Sequence, residues 1–212
     1  MTSGFGALCL LVAALPAGAA DRSLDELLRR VESRYNHAAS LKLDFSESYA
    51  GGRHPSQNES GVLYLRKPGR MRWEYKVPEG KVFLSDGKDV VQSTPDDNRA
   101  ERSRLKQSDD MRAPLAFLLG KLDFSKEFRS FQSRPEGADT WIVADAKTDN
   151  LAYTKVEFLA SPAGEIRRVR VTGQDQSRLD FTFSNEQTNP PLADALFTFH
   201  PPPGVRVVAA EE

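Results

Sequence analysis

The stretch of sequence that decides the fold is GVLYLRKPGRMRWEY, residues 61–75. Its first part holds four apolar residues in a row, which predicts a strand with contacts on both faces, and a Pro-Gly turn follows. Its last part alternates strictly, so that Met71, Trp73 and Tyr75 point one way and charged residues point the other. This alternation is typical of the inner and outer faces of a curved sheet. Periodicity alone leaves open whether the large apolar side chains fill a core or line a cavity.

Composition and charge narrow the class of protein. The chain has 212 residues with 39% hydrophobic content, enough for one large β domain or two small ones with a sizeable core. Lys and Arg number 29 and Asp and Glu number 30, which gives a formal net charge of -1. Because no polybasic surface is indicated, we do not expect nucleic acid to be a partner.

The N-terminus has the pattern of an export signal. No charged residue occurs between Gly6 and Ala20, and an apolar segment is followed by small residues that suit a signal peptidase. We therefore predict that residues 1–20 are a signal peptide, removed after Ala20, and that residues 21–212 form a single exported domain. Cys9, the only cysteine, lies inside the signal, so the mature chain would contain no disulfide.

Two segments have helical periodicity. Ser23 and Glu26 form a capping box that predicts the start of the first helix, and the second helix is predicted over residues 113–120, with Pro near its start and Gly after its end. An amphipathic first helix must lie on an apolar surface, so we expect it to pack on a sheet. The apolar face of the first helix consists of Leu24, Leu27, Leu28, Val31, Tyr35 and Ala38.

The remaining sequence predicts about ten short strands. Asp86-Gly87 indicates a tight hairpin between residues 81–85 and 88–92. The charged residues 96–107 are interpreted as a solvated edge strand or loop, and Phe197 and Phe199 are predicted to close the sheet before a run of prolines. So many antiparallel strands tend to curl into a barrel or half-barrel, because strand twist accumulates. The second half of the chain predicts strands over residues 124–131, 140–144, 153–160, 166–172 and 179–184.

The sequence contains no recognisable catalytic or metal-binding motif. His37, His54 and His200 are the only histidines and stand in unrelated contexts. No nucleophile, phosphate-binding or dinucleotide-binding signature occurs either. We therefore predict that the protein is not an enzyme and uses no metal or cofactor, although an enzyme with scattered carboxylates remains an alternative.

Several motifs, taken in their order and spacing, resemble one known family. They include the capped first helix, the central block, the Leu84-Ser85-Asp86-Gly87-Lys88 hairpin, the helix led by Pro114 and the Phe-x-Phe-x-Pro-Pro-x-Gly segment that begins at Phe197. Together they resemble the periplasmic outer-membrane lipoprotein carrier proteins, the LolA-like family. The resemblance extends over most of the predicted mature chain.

This resemblance implies a mainly β, α+β fold: an unclosed antiparallel β-barrel of about eleven strands with an α-helical lid over a hydrophobic cavity. It also implies a periplasmic chaperone, expected to act as a monomer, that binds the acyl chains of lipoproteins. Such a carrier receives its cargo from an inner-membrane ABC transporter complex and delivers it to an outer-membrane receptor or the outer membrane. A periplasmic lipid- or lipoprotein-sensing module of the same fold is the alternative.

For a carrier of this kind, the sequence offers candidate site residues. The resemblance assigns the lid latch to Lys67, which stands where family members commonly have an Arg before the proline of the central block, unless Arg66 or Arg70 takes this role. The alternative is that Lys67 is only a solvated charge in a turn. Met71 stands where they commonly have an aromatic residue. The lid helix is predicted to present Leu115, Leu118 and Leu119. The predicted walls of the lipid-binding cavity are Phe45, Leu63, Leu65, Met71, Trp73, Tyr75, Phe83, Phe181 and Phe183.

Overall fold

A computed structural model of the chain describes residues 17–51, 58–94, 98–105, 122–148 and 151–209. In these residues one sheet of 12 strands is left unclosed, and one long helix packs on it. The helices are α1 (Ala17–His37), α2 (Phe124–Glu127) and a short 3₁₀ helix (Asp194–Phe197). The strands are β1 (Ser40–Ala50), β2 (Asn58–Arg66), β3 (Arg70–Val77), β4 (Glu79–Asp86), β5 (Asp89–Ser93), β6 (Arg99–Arg104), β7 (Phe128–Glu136), β8 (Asp139–Ala146), β9 (Tyr153–Ala160), β10 (Ile166–Gly173), β11 (Arg178–Thr188) and β12 (Arg206–Ala209).

The sheet consists of two meanders that meet at β1. Its order is β12-β6-β5-β4-β3-β2-β1-β11-β10-β9-β8-β7, so β1 pairs with β2 on one side and with β11 on the other. Neighbouring strands are antiparallel except for β12, which runs parallel to β6. The predicted α+β fold with an unclosed barrel is confirmed, with 12 strands in place of about eleven.

The central hairpin of β2 and β3 has the predicted alternation. Met71, Trp73 and Tyr75 are buried on the inner face, and the charged residues between them are half-buried or exposed. Gly61 allows β2 and β3 to approach closely, because a Cβ atom there would lie 2.1 Å from the carbonyl oxygen of Glu74. Only glycine fits at that position without displacing the neighbouring backbone.

Helix α1 covers the inner face of the sheet. Val31 is 0% exposed and Tyr35 is 1% exposed, and both belong to the same core cluster as the inner-face residues of the strands. Gly164, in the turn between β9 and β10, has a φ of +80°, and a Cβ added to it would lie 2.9 Å from the carbonyl carbon of Arg30. The turn therefore lies directly against the backbone of α1.

Several sequence predictions about the ends of elements are wrong. Helix α1 already includes Ala17, six residues before Ser23, because the alanines that precede Ser23 favour helix. Phe124 belongs to a helical turn rather than to a strand, and β7 begins only at Phe128.

The predicted closure of the sheet is also wrong. Phe197 ends the 3₁₀ helix and Phe199 lies outside any strand, and the last strand, β12, follows the prolines that were expected to end the sheet. Because β12 pairs with β6, the charged strand Arg99–Arg104 is not an edge strand. The predicted second helix, residues 113–120, and residues 1–16 of the predicted signal peptide lie outside the described residues.

The contact between Gly164 and α1 gives a testable prediction about stability. Gly137 has a φ of +63° and no atom within 4 Å of an added Cβ, so Gly137→Ala carries the backbone strain alone. We expect Gly164→Ala to lower the free energy of unfolding by about 1–3 kcal/mol more than Gly137→Ala, because its methyl group also displaces α1. Urea unfolding of both variants measures the difference. Equal losses would show that the turn does not constrain the helix.

Candidate functional site

The apolar end of the inner face is built by strands β1 to β4. Leu41 of β1 is opposite Leu65 of β2, and Leu65 is opposite Met71 of β3. All three side chains are at most 2% exposed. Because inner-face residues recur at every second position, the next row continues the apolar surface along the same strands. That row consists of Leu43, Leu63, Trp73 and Phe83.

The opposite end of the same face is polar. Glu47 and Glu59 are opposite each other on β1 and β2, and both are buried. The hydroxyl of Tyr75 donates to Glu47 Oε2 at 3.0 Å, and Lys81 Nζ donates to Glu59 Oε2 at 2.5 Å. Lys81 Nζ also lies 4.5 Å from the centre of the Tyr75 ring. The inner face therefore changes from apolar to charged along the strands. We call Glu47, Glu59, Tyr75 and Lys81 the polar row.

The sequence analysis named Tyr75 of the polar row only as a cavity wall and did not single out Glu47, Glu59 or Lys81. Strand parity could have found them, because Glu47 follows Phe45 by two residues and Lys81 precedes Phe83 by two. The pairing of the charges could not be inferred, since it depends on the register of several strands.

An aromatic cluster lies beside the polar row. The ring centroid of Trp73 lies 4.8 Å from that of Phe45 and 5.1 Å from that of Phe181. Phe181 and Phe183 stack at 5.9 Å. The structure thus brings the predicted wall residues together on one face. Eight of them are buried and Phe183 is half-buried; whether they contact lipid remains a prediction.

Lys67 joins the turn between β2 and β3 to the end of helix α1. Its Nζ donates to the carbonyl oxygens of Tyr35 and Asn36, each at 2.8 Å. The last carbonyls of a helix have no partner within the helix, and a cation there also interacts favourably with the helix dipole. Burial lowers the pKa of Lys67. The predicted latch residue therefore holds the C-terminal end of α1, while the lid residues Leu115, Leu118 and Leu119 lie outside the described residues.

A second set of polar contacts holds α1 against the other half of the sheet, strands β10 and β11. The Tyr35 hydroxyl donates to Glu186 Oε2 at 2.9 Å and accepts the backbone N–H of Ile166 at 2.9 Å. Arg34 Nη2 pairs with the other oxygen of Glu186 at 2.6 Å. Burial, together with the charge of Glu186, raises the pKa of Tyr35. The helix is therefore fastened to β10 and β11 by a buried hydroxyl and a carboxylate.

The segment before β7 is also fastened to α1. The side chain of Asn36 donates to the carbonyl of Leu122 at 2.8 Å and accepts its N–H at 2.6 Å. Glu32 Oε1 accepts the N–H of Phe124 at 2.8 Å. Leu122 and Phe124 are each 2% exposed and belong to the core cluster. Helix α1 and residues 122–124 therefore cover the inner face together.

The C-terminal segment lies on the outer face of the sheet. Arg66 and Arg70 both pair with Asp194, Arg70 at 2.9 Å, and the hydrogen bond from Arg66 lowers the pKa of that carboxyl group. A groove of about 470 Å³ runs between this segment and β4, lined in part by Val82 and Phe199. This groove is separate from the inner face.

The described residues hold neither a candidate metal site nor a candidate membrane-spanning helix. Among them, no group of three or more His, Cys, Asp and Glu side chains could hold a metal ion. No helix in the described ranges is both long enough and apolar enough to cross a membrane.

The fold and the inner face define a class of protein. An open half-barrel whose inner face is apolar at one end and lies under a helix offers a sheltered surface to an apolar ligand. The family model described as "Outer membrane lipoprotein carrier protein LolA" matches residues 36–200, so the chain belongs to the LolA family. The proteins of this family are non-enzymatic carriers, and the predictions of family and of a non-enzymatic protein are confirmed.

Individual relatives agree with this assignment. The chain is 28% identical over 194 residues to an outer-membrane lipoprotein carrier protein of Dechloromonas aromatica (strain RCB), covering 91% of this chain and 88% of the relative. It is 29% identical over 210 residues to the protein of the same name in Bordetella avium (strain 197N), covering 97% and 96%. The crystal structure of an uncharacterized conserved protein from Thermus thermophilus has a TM-score of 0.52 at 16% identity, covering 89% of this chain and 99% of that one. This last likeness shows the fold alone.

The buried hydroxyl of Tyr35 gives a prediction about the attachment of α1. Tyr35→Phe leaves the N–H of Ile166 without its acceptor, so we expect the free energy of unfolding to fall by about 1–3 kcal/mol. Tyr64→Phe is the matched control, because Tyr64 is half-buried on the outer face and its substitution should cost less than about 0.5 kcal/mol. Urea unfolding measures both. A Tyr35→Phe variant as stable as the control would contradict the role of this contact.

Proposed function

We propose that this protein is a periplasmic carrier that holds the acyl chains of lipoproteins against the inner face of its half-barrel, beneath α1. The observation that carries the proposal is the apolar part of the inner face, which α1 and residues 122–124 cover. Polar contacts hold α1 in place over it. Membership of the LolA family and the names of its relatives support the choice of cargo. An acyl chain needs such a container, because each methylene gains about 0.8 kcal/mol on leaving water.

Cargo must displace part of the cover before it can bind. Val31 of α1 and Trp73 of β3 are both 0% exposed, so a ligand cannot reach this part of the face while its cover stays in place. Each large side chain of the helix that returns to the core gains roughly 1.5–3 kcal/mol. Closure of the empty protein therefore competes with the ligand and lowers its net affinity. This competition allows a tightly held acyl chain to be released.

Lys67 has the role of a latch in this proposal. Its ammonium group bonds to two carbonyls at the end of α1, and those bonds exist only while the helix lies against the turn after β2. Hydrogen bonds to charged groups contribute about 1.5–3 kcal/mol. The latch thus stabilises the closed, empty form, and a Lys in this position lacks the second planar contact that an Arg would offer.

The origin and destination of the cargo are inferred from the family. An inner-membrane ABC transporter complex supplies the lipoprotein, and an outer-membrane receptor or the outer membrane accepts it. The protein works as a monomer after removal of residues 1–20. These steps extend the proposal beyond the inner face itself.

Removal of the latch should change cargo release. In Lys67→Met the apolar stem remains and the ammonium group is lost, so the open form becomes more populated. We expect transfer of a fluorescent diacylated lipopeptide from the carrier to lipid vesicles to slow by up to about tenfold. Lys76→Met, at an exposed position on β3, is the control and should transfer at the wild-type rate. An unchanged transfer rate in Lys67→Met would contradict the role of Lys67 as a latch.

The proposed cargo can be tested directly. Residues 21–212 are expressed in the periplasm with a lipoprotein and its inner-membrane releasing complex, purified without detergent and examined by native mass spectrometry. We expect a one-to-one complex with the acylated lipoprotein. The control is the same cargo with its lipid-bearing cysteine replaced, which should not bind. A carrier that stays empty with acylated cargo would contradict the proposal and favour a sensor of other lipids.

A further inference from the structure

The two tryptophans of the chain differ in their hydrogen bonding. Trp141 lies on the outer face, and its Nε1 donates to Glu136 Oε2 at 2.6 Å. Trp73 lies at the centre of the inner face, is 0% exposed, and its Nε1 has no hydrogen-bond partner among the described residues. A buried donor without an acceptor destabilises a protein, whereas a phenylalanine would fill much of the same space without that loss. The N–H of Trp73 therefore has no structural role in the closed, empty form, and its hydrogen-bond acceptor is expected in the ligand-bound form.

The position of Trp73 indicates the chemistry of the absent acceptor. On β3 the inner-face residues run from Met71 through Trp73 to Tyr75, so Trp73 lies between the apolar end of the face and the polar row. The steps on each side are about 7 Å, which is two residues of a strand. An acylated ligand has the same order of groups: methylenes, then a carbonyl, then a polar head. Its carbonyl oxygen accepts hydrogen bonds and needs an N–H or O–H donor as its partner.

Among its neighbours on the inner face, Trp73 has the hydrogen-bond donor that is available to a ligand carbonyl. The side chains beside it on the inner face, Leu63 and Phe83, carry no polar atom. The Tyr75 hydroxyl is already engaged with Glu47, and Lys81 with Glu59. Among the described side chains at this level of the face, the indole N–H of Trp73 is the donor that has no existing hydrogen bond. A ligand carbonyl placed there would meet it.

We propose that the indole N–H of Trp73 donates a hydrogen bond to an ester or amide carbonyl of the bound acyl chain. This bond sets the depth of the ligand, with its methylenes against Leu65 and Met71 and its head group towards the polar row. The inference rests on the proposed function, because it assigns one contact within the same face. The hydrogen bond distinguishes acyl chains from alkyl chains, because apolar contacts alone would bind both equally.

The test compares an ester with an ether. The probe is a short peptide whose N-terminal cysteine carries a glyceryl group with two palmitoyl esters, and its analogue carries two hexadecyl ethers. In protein with ¹⁵N-labelled tryptophan, the indole proton of Trp73 should move downfield with the ester and much less with the ether. The Trp141 signal serves as an internal control and should stay in place with both ligands.

Substitution gives the second measurement. Trp73→Phe should weaken binding of the ester about fivefold and leave binding of the ether unchanged, while Trp141→Phe should affect neither. If wild-type protein binds both probes with equal affinity and equal shifts of Trp73, the hydrogen bond is overturned and the carrier function remains. If it binds neither probe, the proposed function itself fails, and the assignment of Trp73 with it. The wild-type spectra decide the question even if Trp73→Phe does not fold.

Discussion

The contact between helix α1 and the inner face of the open sheet is the interaction on which the rest of the structure depends. An unclosed sheet with one wide apolar face is not stable in water, and here Val31 and Tyr35 of α1 pack into the core that this face forms. Two further features of the site act on this contact: Lys67 bonds to the end of the helix, and Glu186 bonds to its side. The ligand of a carrier needs the same surface. Folding of the empty protein and binding of cargo therefore compete for one apolar face.

The strength of the attachment determines whether such competition is useful. A helix held only by apolar contacts would not return to one defined position after it has been displaced. A helix held by a large polar network would not be displaced, and ligand could not bind. The structure has an intermediate arrangement, with polar contacts at Lys67, Tyr35 and Asn36 around an apolar centre. These contacts are directional and contribute about 1–3 kcal/mol each, with the charged contact of Lys67 in the upper part of that range. The polar contacts define the position to which α1 returns. Most of the stabilisation of α1 comes from its apolar contacts with the sheet, which the acyl chains of the cargo can replace.

Part of this architecture could be predicted from sequence because it depends on local periodicity. The alternation around Trp73 and the apolar face of α1 both appear in the structure as predicted. Predictions failed where pairing is distant or propensity is weak: β12 follows a proline run and joins β6, far earlier in the chain, with Arg206 beside Arg99. The bond between Tyr35 and Glu186 spans 151 residues, so no local pattern could indicate it. Resemblance to a family suggested Lys67 as a latch, but only the structure supplies its acceptors.

The displacement of α1 by cargo can be measured most directly as a distance. A spin label at Arg29→Cys, on the exposed side of α1, and another at Lys76→Cys, exposed on β3, report the separation of helix and sheet in residues 21–212. Double electron–electron resonance should show a longer distance after saturation with a diacylated lipopeptide. A control pair within the sheet, Lys76→Cys with Thr182→Cys, should not change. An unchanged helix-to-sheet distance in the saturated protein would contradict competition between α1 and the acyl chains.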